Sequence, residues 1–157
     1  MKVTIICGPP ASGKTTYVKN NMQIGDLVVD LDAIRCAIGF TEKDQQTESL
    51  LSAARQVRDF LYSLIENNQI DVEQCWIIAC LPCSEDRELL QKRFNAKLIC
   101  MNVSEEECIY RAMHDPERIN KGRQIEIIQE WFAKAKEKVD PIGATRALAR
   151  YFSDIED

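Results

Sequence analysis

Apolar and polar positions along the chain alternate between two rhythms. Short apolar runs rich in β-branched residues recur, bounded by glycine, proline or polar residues, and read as strands over Lys2–Cys7, 27–29, 75–80 and 97–103. Between the second and third run, Leu50, Ala54, Val57, Leu61 and Leu64 recur at three- and four-residue steps while Arg55, Asp59 and Glu66 fall off that face. This is the signature of a long helix, ended at Asn67-Asn68. Shorter helices are expected over 15–21, 33–38 and 84–94, the last opened by Ser84 as capping hydroxyl with Glu85 and Asp86 against the helix dipole. Ser104-Glu105-Glu106-Glu107 has the spacing of a capping box and opens a helix that breaks near Asp115-Pro116. A further helix over 125–139, with Trp131 and Phe132 read as core, is stopped by Asp140-Pro141-Ile142-Gly143, and 145–152 reads as a short closing helix.

Strands alternating with helices predict an α/β plan with a mainly parallel sheet. At 157 residues, without linker, repeat or low-complexity tract, the chain reads as one domain over 1–157 with enough length to bury a proper core. A net charge of −5 argues against broad electrostatic capture of duplex nucleic acid or of an anionic membrane, and leaves room for a local groove that takes one nucleic-acid end. No apolar run approaches a membrane span, and the first strand begins at once, so a cytoplasmic protein is expected. Seven cysteines, an odd number, several in apolar runs, predict reduced and buried thiols. Cys80-Leu81-Pro82-Cys83 is a C-x-x-C. A zinc or redox pair would need a second such pair or nearby histidines, and the chain has the single His114, itself read as a solvent-facing or capping residue.

The chemistry concentrates near the amino terminus. The first strand runs into Gly8-Pro9-Pro10-Ala11-Ser12-Gly13-Lys14-Thr15, a complete G-x-x-x-x-G-K-T phosphate-binding loop. Glycine permits a backbone whose amides turn inward, and the helix that follows adds its unpaired amides and positive dipole end. Pro9 and Pro10 stiffen the entry. The amides of Gly13, Lys14, Thr15 and Thr16 are expected around the β-phosphate of ATP, with Lys14 along the β- and γ-phosphates and the Thr15 hydroxyl on Mg²⁺. The alternative is a plain turn between strand and helix.

The second apolar run ends in Asp30-Leu31-Asp32-Ala33-Ile34-Arg35. A carboxylate at the carboxyl end of a neighbouring parallel strand is where phosphoryl transfer needs its base. Asp32 is assigned to the acceptor proton, Asp30 to Mg²⁺ through water, and Arg35, one turn behind Asp32, to orienting Asp32 or gripping an acidic group on the acceptor. The competing reading is that Asp30 or Asp32 merely caps the following helix.

Gly8 to Thr15 followed by Asp32-Ala33-Ile34-Arg35 resembles the small P-loop kinases, AAA-type ATP-binding proteins often encoded by phage. The likeness is closest to the polynucleotide 5′-hydroxyl kinase group, and the paired aspartates also resemble those of shikimate kinases. The resemblance implies a three-layer P-loop fold with strand order 2-3-1-4, nucleotide at the carboxyl edge, Asp32 as base and Arg35 as acceptor-orienting residue. It further implies a helical lid around 104–123 whose arginines close over the phosphates. Arg111 comes first there as a catalytic residue, Arg118 second as a nucleotide contact, and Arg123 lies in the same region. One departure stands out: relatives carry an acid at the end of the third strand, where this chain has Cys80, so metal assistance falls on Thr15, Asp30 and water. The nucleobase is expected against 140–145.

Two functions follow. The first is transfer of the γ-phosphate of ATP to a hydroxyl, on a nucleic-acid or nucleotide 5′ end or a small metabolite, with no extended nucleic-acid track and no membrane partner. The second is an ATP-binding switch or assembly module with slow hydrolysis, which Cys80 in place of an acid favours.

Overall fold

The computed structural model describes residues 1–41 and 48–137. Four strands, β1 (Lys2–Cys7), β2 (Leu27–Asp30), β3 (Gln74–Ala79) and β4 (Lys97–Cys100), form one parallel sheet in the order β2-β3-β1-β4. The helices are α1 (Lys14–Asn21), α2 (Leu31–Gly39), α3 (Leu51–Glu66), α4 (Ser84–Phe94), α5 (Glu105–His114) and α6 (Lys121–Lys136), with a 3-10 turn at Glu48–Leu50 leading into α3. The three-layer α/β class and the strand order match the expectation.

Strand alternation sends Ile5, Val29, Cys75 and Ile77 to one face, where they meet Tyr62 and Ile65 of α3 and Leu90 of α4 in the main core. Ile5 and Ile77 are register partners and fully buried, each burial contributing about 1.5–3 kcal/mol. On the other side α1 packs across β1 and β3 and buries Val18. A second, smaller cluster joins Cys108 and Ala112 of α5 to Ile128 of α6, with Ala11, Val103, Ile109 and Phe132 against it.

Element ends shift where a side chain caps the backbone. Helix α2 starts at Leu31, two residues before the expected start, because Asp30 is its N-cap and its Oδ1 accepts from the Asp32 amide at 3.1 Å. Helix α6 starts at Lys121, four residues early, because the Asn120 side chain accepts from the Arg123 amide at 3.0 Å. The Ser104 cap is as expected, accepting from the Glu107 amide at 3.2 Å. Ser84 is not a cap: Cys83 takes that position, and the Ser84 hydroxyl donates to Glu85 Oε1 instead. β4 stops at Cys100, short of 103, because its partner β1 ends opposite it and turns into the Gly8 loop. The stop at 140–143, the nucleobase loops at 140–145 and the closing helix at 145–152 lie outside the described residues. No described helix is long and apolar enough to cross a membrane.

Candidate active site

β1 hands the chain to the loop at the carboxyl edge of the sheet. The backbone there is left-handed at Ala11 (φ 62°) and Gly13 (φ 91°), and Gly13 is the N-cap of α1 without a side chain to cap it. Gly8, at φ 150°, has no room for a side chain. A Cβ there would stand 2.9 Å from Met101 Cβ and 3.0 Å from Ser12 Oγ. The first helical hydrogen bond of α1 is from the Tyr17 amide to the Gly13 carbonyl at 2.9 Å, so the amides of Lys14, Thr15 and Thr16 lie in the turn whose donors a helix leaves unpaired. Lys14 Nζ donates back to the carbonyls of Gly8 at 2.8 Å and Pro9 at 2.7 Å, which curls the loop around its own ammonium group. Pro9 is fully buried, Pro10 half-buried, and the hydroxyls of Thr15 and Thr16 lie on exposed residues.

Ser12 is 1% exposed, and its hydroxyl has no hydrogen-bond partner. A buried hydroxyl without a partner costs about 1–3 kcal/mol. Together with the left-handed turn at Gly13 and the ammonium at its centre, it marks a cradle fitted to an anion. A hydroxyl at Thr15 and a carboxylate at Asp30 are hard oxygen donors of the kind Mg²⁺ takes alongside water and phosphate, so the residues present fit a magnesium nucleotide.

Asp32 and Arg35 lie on the first two turns of α2, at the carboxyl end of β2. β3 intervenes between β2 and β1, so about 10 Å of sheet separates the Asp32 side from the phosphate loop. Asp32 is exposed. Arg35 is half-buried, with its Nε enclosed and unpartnered. Asp30 does cap α2, as one reading had it, which commits its Oδ1 to the Asp32 amide and fixes where Asp32 starts.

From the β4 side, α5 brings Arg111 to the loop. Arg111 Nε pairs with Glu107 Oε1 at 2.7 Å, and its NH1 donates to the Ser12 carbonyl at 3.4 Å. The mundane helix pair and the contact with the loop thus coexist. Arg118 is bonded within the α5–α6 junction, to Asp115 Oδ2 at 3.0 Å and Gln124 Oε1 at 2.5 Å. The Glu117 amide and Arg118 hold the Asp115 carboxyl below its ordinary range. Arg123 pairs along α6 with Glu126 and Glu130. His114 ends α5 as an exposed residue, its Nδ1 2.8 Å from the Tyr110 carbonyl.

Two residues that frame the site have no motif to announce them. Arg87 of α4 donates to the carbonyls of Leu81 at 2.9 Å and Pro82 at 3.0 Å, holding the turn after β3 in which Leu81 takes a left-handed φ of 30°. Trp131 of α6 is half-buried rather than core, and its indole donates to the Cys80 carbonyl at 2.6 Å. Cys80, just past the end of β3, therefore serves as a backbone anchor for α6. All seven cysteines are thiols, but Cys80 and Cys100 are exposed, against the expectation of burial. Burial pushes the Cys75 thiol up to about 12. A cleft of about 510 Å³ lined by Lys2, Asp26, Gln74 and Trp76 opens at the opposite, amino edge of the sheet. There the Gln23 amide and the Trp76 indole hold the Asp26 carboxyl below its usual range, away from the phosphate loop.

Comparison with known proteins bears on the fold. Solved structures similar to the chain include shikimate kinase from Bacteroides thetaiotaomicron, at 14% identity and a TM-score of 0.54 over 99% of both chains. Shikimate kinase from Acinetobacter baumannii in complex with shikimate gives 14% identity and a TM-score of 0.50, over 99% of this chain and 94% of that one. TT1252 from Thermus thermophilus gives 14% identity and 0.51, over 98% and 97%. At this identity the likeness is one of fold, which is P-loop kinase-like. No curated protein matches the sequence. The AAA domain family matches residues 3–141, from the first strand past the end of α6, and the chain belongs to that family.

Proposed function

We propose that the protein is a phosphotransferase that moves the γ-phosphate of ATP to a hydroxyl acceptor. What carries this reading is the two-sided site. Asp32 stands at the end of β2, across β3 from the phosphate loop, while Arg111 meets the loop from the β4 side. The kinase-like fold supports it. Lys14 and the amides of residues 13–16 bind and align the β- and γ-phosphates, and the α5–α6 pair serves as lid. Mg²⁺, held by Thr15 and through water by Asp30, would neutralise charge on the phosphate oxygens. The acceptor oxygen approaches the γ-phosphorus in line. As its bond to phosphorus forms, the bond to the oxygen of the departing ADP breaks, and the acceptor proton passes to the Asp32 carboxylate. Lys14 and Arg111 meet the charge that develops, and Arg35 orients Asp32 or an acidic group of the acceptor. A nucleic-acid or nucleotide 5′ end and a small metabolite both suit a compact site of this kind on an acidic protein.

The test is transfer from γ-labelled ATP to 5′-hydroxyl oligonucleotides, nucleosides and pooled metabolites. Asp32→Asn is expected to lower transfer about 10²–10⁴-fold with ATP affinity nearly unchanged. Lys14→Ala is expected to lose both binding and transfer. ATP binding with slow, acceptor-independent hydrolysis that ignores Asp32→Asn would instead identify a nucleotide switch, the reading that Cys80 favours.

A further inference from the structure

Cys7 and Cys100 are register partners on β1 and β4, and their Sγ atoms stand 2.9 Å apart. Neighbouring strands lie about 4.8 Å apart, inside the Cα range of about 4.4–6.8 Å that a disulfide spans, so a bond between these sulfurs needs no separation or sliding of the strands. The two residues differ in access: Cys7 is 1% exposed, whereas Cys100 belongs to an exposed residue at the outer strand of the described sheet. Both sit at the root of the phosphate loop. Gly8 follows Cys7 and Met101 follows Cys100, the Met101 amide donates to the Cys7 carbonyl at 2.8 Å, and Met101 fills the space beside Gly8. Lys14 and Arg87 place positive charge near the pair.

We propose that Cys7 and Cys100 form an oxidisable dithiol, a modification site for hydroperoxides, whose disulfide ties the root of the phosphate loop to β4 and weakens nucleotide binding. The second half of this statement rests on the reading of the loop as the ATP site; the first does not. Cys7 is enclosed, and burial pushes its thiol up to about 12, whereas Cys100 is exposed, so the sulfur that meets the peroxide first is that of Cys100. Its sulfur attacks the terminal peroxide oxygen, the O–O bond breaks, and the departing hydroxide or alkoxide takes the thiol proton as water or alcohol, leaving a sulfenic acid on Cys100. The Cys7 sulfur then attacks the Cys100 sulfur. The S–S bond forms, the S–O bond breaks, and the departing hydroxide takes the Cys7 proton as water. Two thiols are oxidised by two electrons and one hydroperoxide is reduced. The sulfurs must close to about 2.05 Å, and the shift is passed to the next residues, Gly8 and Met101, which pack so closely that a Cβ on Gly8 would stand 2.9 Å from Met101 Cβ.

The full-length protein is treated with hydrogen peroxide, its remaining thiols are alkylated, and the digest is mapped without reduction, while ATP affinity is measured before and after. The expected result is a Cys7–Cys100 cross-linked peptide and ATP binding at least about tenfold weaker. Dithiothreitol should restore the affinity, and Cys100→Ser should keep it under peroxide. Cys100 driven to sulfinic acid without a cross-link overturns the inference, as does cross-linking confined to Cys80 and Cys83, or a Cys7–Cys100 cross-link that leaves ATP affinity unchanged. Reduced protein that fails to bind ATP would overturn the phosphate-loop reading, while the peptide map still decides the dithiol by itself.

Discussion

The two apolar clusters of the molecule are built on different terms. The main core draws Ile5, Val29, Cys75 and Ile77 from three strands and closes over them with α3 and α4, so its contacts are long-range and shared by the whole sheet. The second cluster has three buried residues, Cys108, Ala112 and Ile128, and its link to the rest of the protein runs through Ala11 in the phosphate loop and Val103. Arg58 and Asp59 pair as neighbours within α3, but the pairs that reach further differ by region. Arg93 of α4 reaches Glu66 of α3 across 27 residues, whereas Arg111, Arg118 and Arg123 pair with acids three, four or seven residues away in the α5–α6 region. Those pairs lie within α5, within α6 or at the turn between them, and none of them reaches the sheet. Among the described residues the attachment runs through Ala11, Val103, the Arg111 contact with Ser12 and the Trp131 bond to Cys80. A region that grips the anion loop through so few contacts has a smaller free energy of local opening than the sheet beneath it.

The sharpest way to break this contrast is to remove the same atoms from each cluster. Ile77→Ala should destabilise the whole protein by about 2–5 kcal/mol and speed amide exchange throughout the sheet, because both residue and cavity are enclosed by the main core. Ile128→Ala, also fully buried, should speed exchange in α5 and α6 and weaken nucleotide binding, while amides of β1 and β3 keep their protection. Equal loss of protection in the sheet would show that the two clusters open as one unit.

A smaller effect is expected at the polar contact. Arg111→Ala should lower kcat about 10²-fold with a much smaller change in ATP affinity, since a donor beside the Ser12 carbonyl is placed for charge that develops during transfer. Arg123→Ala should do nothing to either, because its partners lie on its own helix face. Steady-state kinetics with both variants separates a catalytic lid arginine from a helix that is merely charged.

How much of this was legible in the sequence differs between the same two regions. The strands and the phosphate loop are local statements: β-branched runs, two glycines and a lysine at fixed spacing specify them without reference to the rest of the chain. The strand order came with the family resemblance that those motifs carry. Element ends differ from the sequence expectation where a cap decides them, as at Asp30 and at Asn120. In the α5–α6 region the informative contacts join distant residues. Trp131 reads as core by periodicity, yet its indole finds a carbonyl 51 residues away, and nothing in the spacing of Arg87 shows that it braces Leu81 and Pro82. Arg111 stands out only through the family resemblance; its own spacing predicts the pair with Glu107.

The smallest expected effect tests the sheet side of the contrast. Arg93 donates to both oxygens of Glu66, at 2.5 Å and 2.8 Å, and stacks over Tyr62 and Phe94, which themselves meet edge to face, so the pair joins α3 to α4 at the rim of the main core. The hydrogen bonds from Arg93 hold the Glu66 carboxyl below its ordinary value of 4.5, against the opposing pull of partial burial. A carboxyl whose folded pKa is depressed adds stability above its unfolded pKa and loses it as the pH falls through the folded one. Glu66→Gln should therefore cost up to about 1 kcal/mol at neutral pH, a modest figure because the pair is partly solvated. The difference from wild type should shrink once the pH drops below 4.5. Denaturant unfolding of both proteins between neutral and acid pH measures it. A gap that stays constant with pH would mean that Glu66 acts through packing on the Tyr62–Phe94 corner, and that the α3–α4 rim owes nothing measurable to this ion pair.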